Sequence, residues 1–378
     1  MKKVLIMYAT YGSGHKSAAM SINSYIQENY PDVETNVVDC IKYINKAVNH
    51  ISIKAYDRLT TNFSGLWKKV YYNSGKGFLS KVSNGANKLM AKKLLKLFKE
   101  YNPDFVISTH MFATQMTGYL KRKGKINCPL ATVLTDFEPH GQWLEEHEYG
   151  NLFFVAREKM RNSLINEYHV DSNKVNVTGI PISPKFCKEL DTAEIYSSMN
   201  LNPSLKTILL FGNSKTGSDR KKAFEVLTTL TKHLDNYQVV AVSGKSKKMI
   251  KGFENIKNSL ADSTNLKVYD YITNVPEVMR ISSLVITKSG GLTSSESLAS
   301  GLPILVINPI PGQEEENATY LVDSGAAVWL KKTDSADEVI GNLLNSPEKL
   351  KEMGENSEKI ACKYSTKNIC EKIMKEFL

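Results

Sequence analysis

A loop near the start of the chain has residue types suited to anion handling and proton transfer. Thr10-Tyr11-Gly12-Ser13-Gly14-His15-Lys16-Ser17 follows an apolar run and leads into a helical pattern. Glycines at such a corner let backbone N–H groups face a ligand, and a helix N-terminus favours negative charge. The string Gly14-His15-Lys16-Ser17 resembles the end of a P-loop, but His15 stands where GxxxxGK[ST] needs its second glycine, and Thr10 stands where it needs its first. His15 falls in the first helical turn, where the dipole lowers an imidazole pKa and keeps the ring neutral. A neutral imidazole at a strand end suits a general base; the same position also suits a cap or a packing residue.

Two later loops have the types expected around a nucleotide and a sugar. Lys288-Ser289-Gly290-Gly291-Leu292-Thr293-Ser294-Ser295-Glu296 joins a strand pattern to a helix pattern. Gly290 and Gly291 allow close backbone approach, and Thr293 with its serine neighbours supplies hydroxyl donors for phosphate oxygens. Glu296, one turn on, can accept both hydroxyls of a ribose. Pro309-Ile310-Pro311-Gly312-Gln313-Glu314-Glu315-Glu316-Asn317-Ala318 is the second such loop. Gln313 and Asn317 are amides that could hydrogen-bond sugar hydroxyls or a phosphate. The three carboxylates read as charges complementing a helix N-terminus rather than as metal ligands.

The elements that must carry these loops alternate along the chain, as in α/β layers with parallel strands. In the first half the expected strands are 4–8, 35–39, 105–109, 130–134, 153–155 and 175–178, with a helix over 16–30 stopped by Pro31-Asp32. After a polar stretch around 190–205 the pattern restarts with strands at 207–211, 238–242, 267–269, 284–287 and 304–307. The fold class is therefore α/β, with two Rossmann-like domains facing a cleft, over residues 1–187 and 205–364. An amphipathic helix over 365–378 closes the chain and is expected to cross back to the N-terminal domain. A length of 378 residues exceeds what one hydrophobic core usually serves.

Bulk properties narrow the setting. Hydrophobic content of 42% and charged content of 23% are ordinary for a globular chain, and no apolar run is long enough to span a bilayer. The opening apolar run lacks a small-residue cleavage site and reads as a strand, not a signal peptide. Five scattered cysteines without a CxxC pair point to reduced thiols in a cytoplasm and against zinc. Net charge is +10, and thirteen basic residues between Ile41 and Glu100 are opposed only by Asp57 and Glu100. That concentration implies an anionic partner, either nucleic acid or acidic lipid. Aromatic residues are interleaved with the lysines, and Trp67, Lys68, Lys69, Tyr71, Tyr72 and Phe78 suit a headgroup layer. Over 88–99, Met90, Ala91, Leu94, Leu95 and Phe98 share one face, the pattern of a surface helix packed on the sheet. Over 59–84, three glycines and little periodicity argue against a core helix. No zinc-finger or RNP1-like string supports nucleic acid.

The motifs in order carry a resemblance. Gly290-Gly291-Leu292-Thr293, Glu296, Gly301-Leu302-Pro303, Pro311-Gly312-Gln313-Glu314, Asn317-Ala318 and Gly325-Ala326 are similar to the donor half of GT-B glycosyltransferases related to the peptidoglycan N-acetylglucosaminyltransferase. The first half resembles monogalactosyldiacylglycerol synthases and processive diacylglycerol β-glucosyltransferases. It does so through Gly12-Ser13-Gly14-His15-Lys16-Ser17, Ser108-Thr109-His110, Thr135-Asp136-Phe137 with His140 and Trp143, and Val177-Thr178-Gly179-Ile180-Pro181.

The resemblance implies a UDP-sugar-dependent inverting hexosyltransferase with diacylglycerol as acceptor, peripheral on the cytoplasmic face of the membrane and without a bound cofactor or metal. It makes His15 the catalytic base and puts Gly12, Gly14, Asp136 and His140 on the acceptor side. On the donor side it puts the diphosphate on the Gly290–Thr293 loop, the ribose on Glu296 and the hexose on Gln313 and Glu314, with Asn317 beside them. Backbone groups at Tyr271 and Ile272 take the uracil. The family's glycine-rich string after the first C-terminal strand reads here Phe211-Gly212-Asn213-Ser214-Lys215-Thr216-Gly217, so Gly212 and Asn213 are expected to make the remaining backbone turn. A sugar-nucleotide 2-epimerase of the same fold and a non-catalytic lipid-surface protein are the alternatives. Neither an epimerase's soluble substrate nor nucleic acid explains the basic aromatic segment together with the donor loops.

Overall fold

The structure is a computed structural model that describes residues 1–10, 13–44, 78–212 and 217–378, with the backbone alone over 78–89. The chain divides into two compact units, one made of Met1–Cys187, Pro311–Gln313 and Cys362–Leu378 and the other of Lys188–Ile310 and Glu314–Ala361.

The first unit is built on a six-stranded parallel sheet in the order β2-β1-β3-β4-β5-β6. Its strands are β1 (Lys2–Tyr8), β2 (Val33–Asp39), β3 (Phe105–Ser108), β4 (Leu130–Val133), β5 (Leu152–Val155) and β6 (Val175–Val177). Alternation along β1 decides which layer each side chain joins. Val4 and Ile6 pack with Ala19, Ile22 and Ile26 of α1 (Gly14–Asn29) on one face. Leu5 and Met7 pack on the other face with Ile41 of α2 (Cys40–Ile44) and with Ala91, Leu94, Leu97 and Phe98 of α3 (Phe78–Tyr101). The apolar stripe over 88–99 is thus a sheet-packing face, and each buried leucine in it contributes about 1.5–3 kcal/mol. The helix begins at Phe78, so residues 78–84 of the stretch 59–84 have a helical backbone, while 59–77 lie outside the described residues.

The same face of the sheet that carries α1 also carries the end of the chain. Ile369, Cys370 and Ile373 of the final helix, Ser365–Phe377, are fully buried in the cluster with Val4, Ile6 and Ile22. Ser365 and Thr366 fix its start by donating to the carbonyls of Ile180 and Ile182 at 2.8 and 2.6 Å. Gly179 has φ of +85°, and a Cβ there would lie 2.2 Å from Cys362 Cβ, so both conformation and space demand glycine.

The second unit has its own six-stranded parallel sheet, ordered β12-β11-β10-β7-β8-β9. Its strands are β7 (Lys206–Phe211), β8 (Tyr237–Val242), β9 (Leu266–Tyr269), β10 (Ser282–Thr287), β11 (Ile304–Ile307) and β12 (Ala327–Leu330). The polar stretch before β7 contains a short helix, Thr192–Ser198, capped by the Asp191 carboxylate. In both sheets strand order reverses once, between β1 and β3 in the first and between β7 and β10 in the second. Ligands of open parallel sheets bind outside the carboxyl ends of strands at such points. Among the described residues, no helix is long and apolar enough to cross a membrane.

Candidate active site

The reversal point of the first sheet holds a pair of histidines. His15 is in the first turn of α1, after β1, and His110 follows β3 as the N-cap of α4 (Met111–Arg122). Their rings meet edge to face, with centroids 4.4 Å apart, and Trp143 lies 6.3 Å from the first and 6.4 Å from the second. His15 Nδ1 is 2.9 Å from the Thr109 carbonyl oxygen and 2.9 Å from Thr135 Oγ1. A carbonyl oxygen can only accept, so Nδ1 carries the proton and Nε2 keeps its lone pair. Thr109 Oγ1 donates in turn to the His15 carbonyl, which closes the corner between α1 and β3.

Burial lowers the His15 pKa to about 4, and its hydrogen bond with the Thr109 backbone offsets only part of that. His110, buried, is also held well below the usual imidazole range, by desolvation first and by the neighbouring His15 second. Its Nδ1 accepts from the Phe112 N–H at 3.1 Å, so this ring too is neutral. The site therefore presents a neutral imidazole with an unshared electron pair on Nε2, which can take a proton from a hydroxyl. Asp136 is buried next to Thr135, and His140 caps the 3-10 turn Gly141–Leu144 by accepting from Gln142 N–H. Gly14 is the first residue of α1, while Gly12 lies outside the described residues.

In the second unit, the loops after β10 and β11 are tied together. Ser289 Oγ donates to the Glu314 carbonyl at 2.5 Å, and the Glu314 carboxylate accepts from Ile310 N–H at 2.6 Å. Asn317 Nδ2 donates to the Ser289 carbonyl at 3.0 Å, and its side chain is completely buried. Asn317 is therefore a strut between the loops rather than a group facing a sugar, which corrects the expectation from its polarity. Gly290 caps α5 (Gly291–Ala299), and a Cβ there would come within 3.8 Å of Glu314 Oε1. Gln313 opens the helix Gln313–Asp323.

Glu296 lies on α5 with Thr293 one turn before it. Burial pushes its carboxyl up to about 8. Gly212 has a different task from the one expected. Its N–H donates to Val242 O at 2.8 Å and extends the β7–β8 ladder, and a Cβ would lie 2.5 Å from Phe253 Cζ. The glycine makes room for a core ring and offers no free N–H to a phosphate. Tyr271, after β9, is exposed, and its N–H donates to Asp270 Oδ1 at 2.7 Å; Ile272 is buried. Among the backbone groups expected to meet a uracil, the Tyr271 N–H is thus already engaged. Asn213, Trp67, Lys68, Lys69, Tyr71 and Tyr72 lie outside the described residues, and only the backbone of Phe78 is described.

Comparison with known proteins places this arrangement. The profile of the monogalactosyldiacylglycerol (MGDG) synthase family matches residues 15–182, and that of the glycosyltransferase family 28 C-terminal domain matches residues 207–373. A processive diacylglycerol beta-glucosyltransferase of Staphylococcus epidermidis is 31% identical over 99% of this chain and 92% of its own length. The protein of that name from Bacillus subtilis is 30% identical over 99% of this chain and 95% of its own. The chain belongs to the processive diacylglycerol beta-glucosyltransferase family.

Solved structures agree with this family's fold. MurG of Acinetobacter baumannii superposes with a TM-score of 0.63 at 14% identity, covering 99% of this chain and 100% of MurG. The UDP-GlcNAc 2-epimerase of Neisseria meningitidis gives 0.63 at 17% identity, over 99% and 100% of the two chains. At these identities the likeness shows the GT-B fold alone. Thr109, His110, Thr135 and Trp143 stand in the sequence motifs without a task of their own. In the structure they orient and enclose His15.

Proposed function

We propose that this chain transfers a hexose from a UDP-sugar to diacylglycerol at a membrane surface, with inversion at the anomeric carbon. The observation that carries this reading is the His15 imidazole, whose Nδ1 proton is committed to Thr109 and whose Nε2 is left as a base. Nε2 takes the proton of the diacylglycerol hydroxyl as that oxygen bonds to the anomeric carbon. The bond from that carbon to the UDP oxygen breaks, and its electron pair leaves with UDP. Backbone N–H groups at Gly290 and Gly291 and the N-terminus of α5 stabilise the developing negative charge. Glu296 accepts from the ribose hydroxyls, the loop around Tyr271 and Ile272 receives the uracil, and Gln313 and Glu314 address the hexose. Gly14, Asp136 and His140 border the acceptor. Attack opposite an α-linked leaving group gives a β-glycoside, in keeping with the names of the relatives.

The epimerase alternative is disfavoured because epimerase structures share only the fold, at 14–17% identity, whereas the diacylglycerol transferases match at 30–31% over nearly the whole chain. The membrane reading extends the proposal to the cytoplasmic face and to anionic lipid, and it rests on the basic segment between Ile41 and Glu100. Reversing Lys68, Lys69, Lys76 and Lys81 to Glu is expected to abolish binding to vesicles rich in acidic lipid, measured by co-sedimentation. It should also abolish transfer to bilayer-embedded diacylglycerol while sparing transfer to a short-chain soluble acceptor. A charge-reversed protein that still binds acidic vesicles like the parent would make the segment a solvated face.

A further inference from the structure

One face of α4 holds the wall beside His15. Gln115, Gly118 and Arg122 follow one another at helical spacings of three and four, so they share a side. Each engages the segment that carries Trp143. Gln115 Nε2 donates to the Gln142 carbonyl at 2.6 Å. Arg122 grips the Glu146 carboxylate with two bonds, Nε to Oε2 at 2.7 Å and Nη2 to Oε1 at 2.9 Å. Gly118 leaves the space in which Glu146 sits, for a Cβ there would be 2.6 Å from Glu146 Cβ and 3.1 Å from its carbonyl oxygen. Glu146 itself adopts φ of +62°, a left-handed conformation that costs free energy in a residue with a side chain. Trp143 lies between the two clamped residues and is 2% exposed.

We propose that the Gln115–Gly118–Arg122 face is a positioning device for the transfer reaction, clamping Gln142–Glu146 so that Trp143 keeps water away from the His15 imidazole. The inference rests on the reading of His15 as the base. The same helix begins at the His110 cap, so α4 sets two of the neighbours of His15. Desolvation is the larger of the influences on His15, which makes the wall a lever on its protonation. Among the described residues, titratable groups on the surrounding elements include Tyr8, Lys16, Asp39, His110, Asp136, Glu138, His140 and Glu145. Glu146 is matched by Arg122, and Asp39 accepts from Thr10 Oγ1 and from Lys42 N–H.

Arg122→Met keeps the aliphatic stem and removes the grip, and Gly118→Ala displaces Glu146 directly. Titration of the His15 ring by NMR in the free protein reads the effect without any substrate. Both variants are expected to raise the midpoint by about one pH unit or more towards the ordinary imidazole value, as water reaches the ring. The acid limb of kcat/KM should move up with it. If both folded variants titrate as the parent does, the proposal is overturned. If the ring's midpoint rises while the acid limb stays, the clamp holds as described and it is the assignment of His15 as base that fails.

Discussion

Replacing His15 by alanine is expected to lower turnover by about two to four orders of magnitude, the usual worth of a positioned general base. UDP affinity should change little, because the residues assigned to the nucleotide lie in the second unit. The wild-type protein supplies a second signature. With the His15 pKa lowered to about 4, the ring stays neutral down to mildly acid pH, and kcat/KM should begin to fall only as pH drops below about 5. An ordinary imidazole would give an acid limb near about 6.5. Near-normal turnover in a folded His15→Ala protein would remove the residue from the chemistry.

Glu296→Ala is expected to weaken UDP binding about tenfold or more by calorimetry, since each hydrogen bond to a charged acceptor is worth about 1.5–3 kcal/mol. The raised pKa adds a direction. With its carboxyl at about 8, free Glu296 is mostly protonated at neutral pH, while a carboxylate accepts best from two ribose hydroxyls. Binding should therefore release a proton, and affinity should rise with pH up to about 8 and then level off. Glu296→Gln should flatten that dependence and show whatever titration belongs to UDP itself. Unchanged affinity in Glu296→Ala would mean that the ribose lies elsewhere.

How much of this is legible in the sequence differs between backbone and contacts. Strands such as β1, β10 and β11 stand out because continuous apolar runs are what a sheet covered on both faces requires. The edge strand β12 does not: Ala327-Val328-Trp329-Leu330 is short, and its two middle residues are only half-buried. His15 is legible from the turn chemistry around it. Its orienting partners are not, because Thr109 and Thr135 lie 94 and 120 residues away and only the sheet brings them together. Gly212 and Asn317 show the opposite failure. A glycine after a strand and an amide at a helix start look like ligand contacts, yet one makes room for Phe253 and the other joins two loops. The Gly118 clamp leaves no local signal, for a glycine inside a helix reveals its purpose only when Glu146 is seen against it.

The most direct test of the central claim is the anomeric configuration of the product made from a UDP-hexose labelled with carbon-13 at C1 and presented with diacylglycerol. The account predicts a diacylglycerol glycoside whose one-bond C–H coupling marks it as β, formed by the parent and lost in His15→Ala while that variant still binds UDP. An α-glycoside, an epimerised UDP-sugar with no glycolipid, or undiminished product from His15→Ala would contradict it.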